Sequence, residues 1–151
     1  MTTPSPDHKP VILCDVNNTI LIHESENGHN KHALNKNLMK QLSKAMEQGF
    51  HVQLCSEAID RGEWYSDVGT PFPDIGVPKE LIDNVCGKEG IADRYQGQVV
   101  AIIDNNNDEK YIKEVMETSP KAKFFEPFDI RTLQVHLSRE APSQTITQRA
   151  A

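Results

Sequence analysis

Residues 11–20 read VILCDVNNTI, and this stretch decides the fold class. Four apolar residues run directly into an acid, Asp15, without the alternation expected of a strand that has one face in water. Two further runs, FHVQLCS at 50–56 and QVVAIID at 98–104, have the same character. Short continuous runs rich in β-branched residues are typical of strands that are buried on both faces of a parallel sheet.

Helical patterns separate these runs. Apolar residues recur at helical spacing in 32–49, HALNKNLMKQLSKAMEQG, where Gly49 supplies a stop signal. A second helix is expected in 108–120, DEKYIKEVMETSP, which opens with acids and ends at a proline. A short strand at 122–128 and a final helix follow. Alternating strands and helices of this length predict a three-layer α/β fold, in which helices flank a Rossmann-like parallel sheet.

The middle of the chain gives weaker patterns. Residues 80–88, ELIDNVCGK, predict a short strand, and 89–97, EGIADRYQG, predict a brief helix. The stretch 22–32, IHESENGHNKH, predicts a solvated insertion, although its three histidines have a spacing that would also suit a metal. The proline- and glycine-rich stretch 61–78 predicts a surface loop. About twenty residues cannot bury a core of their own, so we expect no large cap domain.

Composition places the chain among globular proteins with one domain. Its 151 residues are 37% apolar and 25% charged, and the net charge of −6 gives no basic excess to attract nucleic acid. No apolar run approaches the roughly 20 residues that span a bilayer, and no secretory signal is recognisable, so we expect a cytoplasmic protein. We expect one domain over 10–138, with flexible residues at 1–9 and 139–151. Its oligomeric state is not predicted.

Polar residues follow the predicted strands at the edge where ligands bind to parallel sheets. Asp15, Ser56 and Asp104 end the three apolar runs, so their side chains are expected to meet in one crevice. Two carboxylates brought together would repel each other, whereas a hard cation such as Mg²⁺ would satisfy both. The strand ends therefore predict a magnesium site.

These residues resemble two motifs of the haloacid dehalogenase (HAD) superfamily. VILCDVNNTI is similar to the first motif, an apolar strand that ends in DxDxT. Asp15 stands at the nucleophile, Asn17 at the second acid and Thr19 at the threonine. HVQLCS resembles the second motif, an apolar strand that ends in serine or threonine, through Ser56.

The remaining two motifs of that superfamily have candidates as well. VVAIIDNNND resembles the fourth motif through Asp104 and Asp108, although Ile103 replaces its usual glycine. The third motif is a lysine between the second and fourth, and both Lys79 and Lys88 qualify. We favour Lys88, because the end of a predicted strand fixes an ammonium near the crevice better than a loop does.

The resemblance implies a phosphoric monoester hydrolase that acts on a phosphorylated small molecule or a phosphoprotein. Asp15 would attack phosphorus and form an aspartyl phosphate. Ser56, Thr19 and Lys88 would bind the phosphoryl group, and Lys88 would also screen the charge of Asp15. The reaction would proceed in two steps, with hydrolysis of the aspartyl phosphate as the second.

The cofactor that the resemblance implies is Mg²⁺. Asp15, Asp104 and the backbone carbonyl of Asn17 would hold the ion, and Asp108 would orient its outer shell. Carboxylate and carbonyl oxygens are the ligands that Mg²⁺ prefers. An asparagine at position 17 keeps the carbonyl and therefore leaves this metal site intact.

Asn17 changes the acid–base chemistry instead. The acid normally found there protonates the leaving group and then activates water, and an amide exchanges no proton at neutral pH. Losing this help commonly costs about 10²- to 10⁴-fold in rate. Asn17 therefore argues for an impaired or trapped enzyme, or for substrates with good leaving groups such as aryl or acyl phosphates.

Other interpretations remain open. A catalytically inactive HAD-like domain would serve as a binding or scaffold module. The chain would also carry Asn17 if it were an engineered variant of an ordinary DxDxT enzyme, with the second acid replaced by asparagine. A receiver-type signalling domain uses an acid, a hydroxyl and a lysine around a metal, but it has an acidic pair after its first strand. The order of residues here does not suit that class.

Overall fold

The computed structural model of the protein describes residues 9–26, 29–60, 76–106 and 109–142. The strands in this part of the chain are β1 (Val11–Asp15), β2 (Leu21–Glu26), β3 (His29–Leu34), β4 (His51–Cys55), β5 (Val99–Ile103) and β6 (Lys123–Phe125). The helices are α1 (Lys36–Glu47), α2 (Glu57–Asp60), α3 (Lys79–Asp83), α4 (Ile91–Arg94), α5 (Lys110–Thr118) and α6 (Ile130–Glu140).

A four-stranded sheet forms the centre of the fold. Its strands lie in the order β4-β1-β5-β6, and every neighbouring pair is parallel. Asp15 pairs with Cys55 on one side of β1, and Cys14 pairs with Ile103 on the other. The carboxyl ends of β1, β4 and β5 are therefore adjacent.

Two apolar cores cover the faces of this sheet, because successive side chains of a strand point to opposite faces. Ile12 and Cys14 belong to the first core, with Leu42 of α1 and Leu133 of α6. Val11 and Leu13 belong to the second, together with residues of α4 and α5, namely Ile91, Ala92, Tyr111, Ile112 and Val115. The predicted three-layer α/β fold is confirmed, and the described residues contain no large cap domain.

The stretch from 21 to 34 differs from its prediction. Strands β2 and β3 form an antiparallel hairpin where we expected a solvated insertion, and His23 lies opposite His32. The helix expected from position 32 begins only at Lys36, because the hairpin takes up the preceding residues. Asn35 caps that helix, since its side chain accepts a hydrogen bond of 3.3 Å from the Leu38 amide.

The expected strand at 80–88 was wrong as well. Residues Lys79–Asp83 form α3, which buries Leu81 and Ile82. Only Cys86 meets the sheet, where its backbone pairs with the edge strand β4 in an isolated bridge to Cys55. The brief helix expected over 89–97 is confirmed by α4.

The carboxyl-terminal helix ends later than expected. Helix α6 continues to Glu140, two residues past the predicted domain end at 138, and Ala141 is buried. Within the described residues, no helix combines the length and the apolar character needed to cross a membrane.

Candidate functional site

The three polar residues that end the central strands lie together in the fold. Asp15 is the last residue of β1, Ser56 follows β4, and Asp104 follows β5. All three are buried, with exposed fractions of 5%, 2% and 1%. Because β1 is hydrogen-bonded to both β4 and β5, these residues surround one crevice at the carboxyl edge of the sheet.

Lys88 reaches this crevice from the segment after α3. Its Nζ lies 2.9 Å from Asp15 Oδ1, 3.1 Å from Asp104 Oδ2 and 2.7 Å from Glu109 Oε2. Burial alone would lower the pKa of Lys88, but Asp15 and Glu109 raise it overall, so the ammonium stays charged. Lys79, the alternative, is exposed and pairs with Asp83 at 2.6 Å.

The backbone of Lys88 is held by Asp60. The Lys88 amide donates to Asp60 Oδ2 at 2.8 Å, and the Glu89 amide donates to Oδ1 at 3.4 Å. This contact requires glycine at position 87, because a Cβ on Gly87 would lie 2.1 Å from Asp60 Oδ1. The end of α2 thus fixes the segment that carries the lysine.

Asp15 is fixed by its neighbours in the following turn. The Thr19 hydroxyl donates to Asp15 Oδ2 at 3.0 Å, and Thr19 is fully buried. Thr19 therefore orients the acid, and the phosphate-binding role expected for it stays a prediction. Burial raises the pKa of Asp15 to about 6, although the Lys88 ammonium opposes this shift.

Asn17 lies in the same turn, which is tight. The Leu21 amide donates to the Val16 carbonyl at 2.9 Å, and Asn18 adopts a left-handed conformation with φ of 60°. Asn17 is one of the residues that line the crevice. Its Oδ1 is buried, and no donor in the described part of the chain reaches it. An acceptor left in this state favours a cation or a ligand donor beside it.

Asp104 accepts hydrogen bonds at both carboxylate oxygens. Tyr111 donates its hydroxyl to Oδ2 at 2.5 Å, and the Asn106 amide donates to Oδ1 at 3.0 Å. With its side-chain nitrogen turned toward the acids, Asn105 donates to Asp104 Oδ1 at 2.9 Å and to Asp15 Oδ2 at 3.2 Å. One amide therefore bridges the two strand-end acids.

Four contributors to this site were missed in the sequence: Asp60, Asn105, Glu109 and Tyr111. The Tyr111 ring packs in the apolar core, as expected of a helical apolar residue, but its hydroxyl donates to Asp104. Glu109 precedes α5, and burial together with hydrogen bonds to Glu57 and Asp104 raises its pKa. An acid at a helix start is a weak signal, because such residues more often cap the helix. The predicted metal-shell residue Asp108 lies outside the described residues.

The crevice is a small, open and polar cavity of about 210 Å³. The residues that line it are Asp15, Asn17, Ser56, Glu57, Lys88, Asn105, Asn106 and Glu109. A larger cavity of about 460 Å³ lies elsewhere and shares none of them. Convergent charged groups indicate a functional site more specifically than the volume of a cavity does. The smaller cavity is therefore the candidate site.

The donor set of this cavity is suited to a hard cation. Asp15 and Asp104 share the single ammonium of Lys88 with Glu109, whose raised pKa favours its neutral form, so two carboxylates lie beside one positive charge. In the described ranges, no group of three or more His, Cys, Asp or Glu side chains is arranged to hold a metal ion. A cation here would therefore depend on two carboxylates together with amide or carbonyl oxygens.

Comparisons with known proteins bear on the fold only. No protein-family model matches the chain, and no curated protein matches it. It is similar to the crystal structure of a hypothetical protein from Xanthomonas campestris, with a TM-score of 0.52 and 13% identity. The match covers 95% of this chain and 90% of that chain. At this identity, the likeness indicates a shared fold and carries no function.

Proposed function

We propose that the protein is a Mg²⁺-dependent phosphohydrolase of the HAD type that acts through a phosphorylated Asp15. The observation that carries this proposal is the arrangement of Asp15 and Asp104, which lie within 3.1 Å of one buried ammonium, that of Lys88, at adjacent strand ends. Acids around a metal, a lysine and a hydroxyl are the groups that phosphoryl transfer to an aspartate requires.

The residues present fit Mg²⁺. Asp15, Asp104 and the backbone carbonyl of Asn17 would hold the ion, as the motif resemblance implies. Asn105 supports this fit, because one atom of its amide lies 2.9 Å from Asp104 Oδ1 and 3.2 Å from Asp15 Oδ2. Mg²⁺ prefers oxygen ligands, and carboxylate and amide oxygens both qualify. A half-turn of the amide would place its oxygen there as a further ligand.

The bound ion would neutralise charge between the carboxylate and the phosphate. Asp15 would form a bond to phosphorus while the bond from phosphorus to the leaving oxygen breaks. Its pKa of about 6 leaves it ionised at neutral pH, and Thr19 holds its second oxygen. Ser56 would donate to a phosphate oxygen, and Lys88 would screen the negative charges that approach each other.

Asn17 decides which substrates suit this site. The departing oxygen receives no proton from Asn17, because an amide side chain has none to give at neutral pH. The leaving groups of aryl and acyl phosphates depart without that proton, whereas the alkoxide of an alkyl phosphate needs it. The cavity of about 210 Å³ has room for a phosphoryl group and little else, so the remainder of the substrate would lie outside it.

A second candidate is a HAD-like module that binds phosphate without turnover, and the missing acid at Asn17 favours it. In this alternative the buried acids and Lys88 would hold a ligand but would not transfer its phosphoryl group. The two candidates differ in one reaction step, namely the formation of a covalent bond to Asp15.

An aryl-phosphate assay with and without Mg²⁺ separates the two candidates. We expect turnover that requires Mg²⁺, is removed by EDTA and is lost in Asp15→Asn. Asp83→Asn is the matched control, because Asp83 is exposed, pairs with Lys79 and does not line the cavity. An absence of turnover in a protein that binds Mg²⁺ would favour the binding module. Equal turnover in Asp15→Asn would contradict a reaction that passes through a phosphorylated Asp15.

A further inference from the structure

A second cavity, of about 460 Å³, lies at the opposite end of the sheet. His51 is the first residue of β4, whereas Ser56 follows the other end of that strand. Lys9 lies just before β1, and Gln98 lies just before β5. The cavity therefore faces the amino ends of the strands, away from the candidate phosphohydrolase site.

The charge of this cavity is opposite to that of the whole chain. Lys9, His51 and Arg94 line it, and no carboxylate from the described part of the chain does, although the chain has a net charge of −6. Burial lowers the pKa of His51 most, and the positive charges of Arg94 and Lys9 lower it further. The electrostatic effect of both cations therefore extends to the His51 ring. A cavity whose described lining holds two cations and no carboxylate favours an anion.

Hydrogen bonds fix the polar wall of the cavity. Gln53 is buried, and its Nε2 donates to the Leu54 carbonyl at 2.8 Å and to the Asn84 carbonyl at 2.6 Å. Its Oε1 accepts the hydroxyl proton of Tyr95 at 2.5 Å. The Tyr95 oxygen then accepts from His51 Nε2, which lies 3.2 Å away. Neutral His51 therefore carries its proton on Nε2.

We propose that this cavity binds a soluble small molecule that carries a phosphate group. The guanidinium of Arg94 offers paired donors to phosphate oxygens, and the ammonium of Lys9 adds a mobile charge. Pockets for small organic ligands commonly measure roughly 300–1,000 Å³, so the cavity exceeds what phosphate alone would fill. The Arg94 guanidinium lies 5.2 Å from the centroid of the Tyr95 ring, so the ring face helps to hold this cation at the wall of the cavity.

An NMR titration of the full labelled chain tests this proposal, with inorganic phosphate and glycerol phosphate as probes and sodium chloride at equal ionic strength as reference. We expect saturable shifts at His51, Arg94 and Tyr95. Shifts at Ser56 and Lys88 report the candidate phosphohydrolase site separately, so the two sites succeed or fail independently. No shift at the first three residues, or the same shift with chloride, would overturn the proposal.

Two substitutions sharpen that test. Arg94→Gln is expected to weaken phosphate binding by about fivefold or more, because it removes a paired donor. Lys44→Gln is the matched control, since Lys44 is an exposed residue of α1 that does not line this cavity. Equal binding in both variants would overturn the proposal. If the protein sediments with phosphatidic acid vesicles but binds neither soluble probe, the ligand is a lipid headgroup and not a soluble molecule.

Discussion

The ammonium nitrogen of Lys88 lies 2.9 Å from Asp15 and 3.1 Å from Asp104, and it thereby joins the acids at the ends of two neighbouring strands. Glu109 contacts the same nitrogen at 2.7 Å, and the Tyr111 ring centroid lies 4.9 Å from it. Three carboxyl groups and an aromatic face around one buried cation form a strongly coupled cluster. Among the described residues, Lys88 is the one cation that all three carboxyl groups contact, so its removal would leave buried acids without a partner.

Replacing Lys88 by methionine should therefore destabilise the fold. The change leaves Asp15, Asp104 and Glu109 buried beside one another without a cation, and removing one partner of a buried pair commonly costs about 3–5 kcal/mol. Urea unfolding at pH 7 measures this loss. Lys79→Met is the matched control, because the exposed pair of Lys79 and Asp83 should contribute less than about 1 kcal/mol. Equal losses in the two variants would contradict the cluster.

Replacing Asp15 by asparagine should stabilise the metal-free protein at pH 7. The pKa of Asp15 is raised to about 6, so the folded state binds this proton more tightly than the unfolded chain does. The stabilisation by that proton is complete below about pH 4 and is lost as the pH rises through 6. An uncharged amide removes the cost of burying the ionised acid, which is at most about 3 kcal/mol.

Urea unfolding in EDTA at pH 7 and pH 4 measures the effect of Asp15→Asn. We expect a gain at pH 7 that disappears at pH 4, where Asp15 of the original protein is protonated as well. Asp83→Asn should change neither value by much, because Asp83 is exposed. A loss of stability in Asp15→Asn at pH 7 would mean that the ion pair with Lys88 outweighs the cost of burial.

Replacing Gly87 by alanine should disturb the segment that carries Lys88. The added Cβ would lie 2.1 Å from Asp60 Oδ1 and 2.6 Å from its Cγ, so Asp60 must move and release the Lys88 amide. Overpacking of this kind commonly costs about 1–3 kcal/mol. In an Asp60→Ala background the same alanine should cost less, because the atoms it meets are gone. Equal costs in both backgrounds, by urea unfolding, would exclude this contact as the cause.

Replacing Asn17 by aspartate should restore acid–base help. Turnover of alkyl phosphates should rise at least about tenfold, whereas aryl phosphates should gain less, because only poor leaving groups need the proton in the first step. Steady-state assays with both substrate classes in Mg²⁺ measure the ratio. Equal gains with both classes would place the limiting step in hydrolysis of the phosphoenzyme. The absence of any gain would favour the binding module.

The sequence was sufficient to predict the positions of Asp15, Ser56 and Asp104, because each ends an apolar run and parallel strands share one carboxyl edge. Lys88 was favoured for a reason that was only partly right. The segment that carries Lys88 meets the sheet at a single residue, Cys86. The Asp60 side chain fixes this segment, and a ladder of backbone hydrogen bonds does not. The short distance to Asp60 depends on how α2 and the segment pack, and no local pattern encodes it.

The hairpin at 21–34 and the contacts of Asn105, Glu109 and Tyr111 were not predicted. Polar residues dominate the hairpin, so the alternation that marks a half-buried strand is absent there. The other three residues act through side-chain atoms that reach Asp15, Asp104 or Lys88 only after β5 and α5 have packed. Periodicity places a residue on a face of an element, but it does not show which polar atoms will meet.

The most direct test of the proposed chemistry is mass spectrometry of the acid-quenched protein after incubation with Mg²⁺ and an aryl phosphate. We predict one added phosphoryl group on the peptide that contains Asp15. It should accumulate because Asn17 cannot activate water, and it should be absent from Asp15→Asn. A protein that binds Mg²⁺ but gains no phosphoryl group, or gains it at another residue, would contradict the central claim that Asp15 is a phosphoryl acceptor.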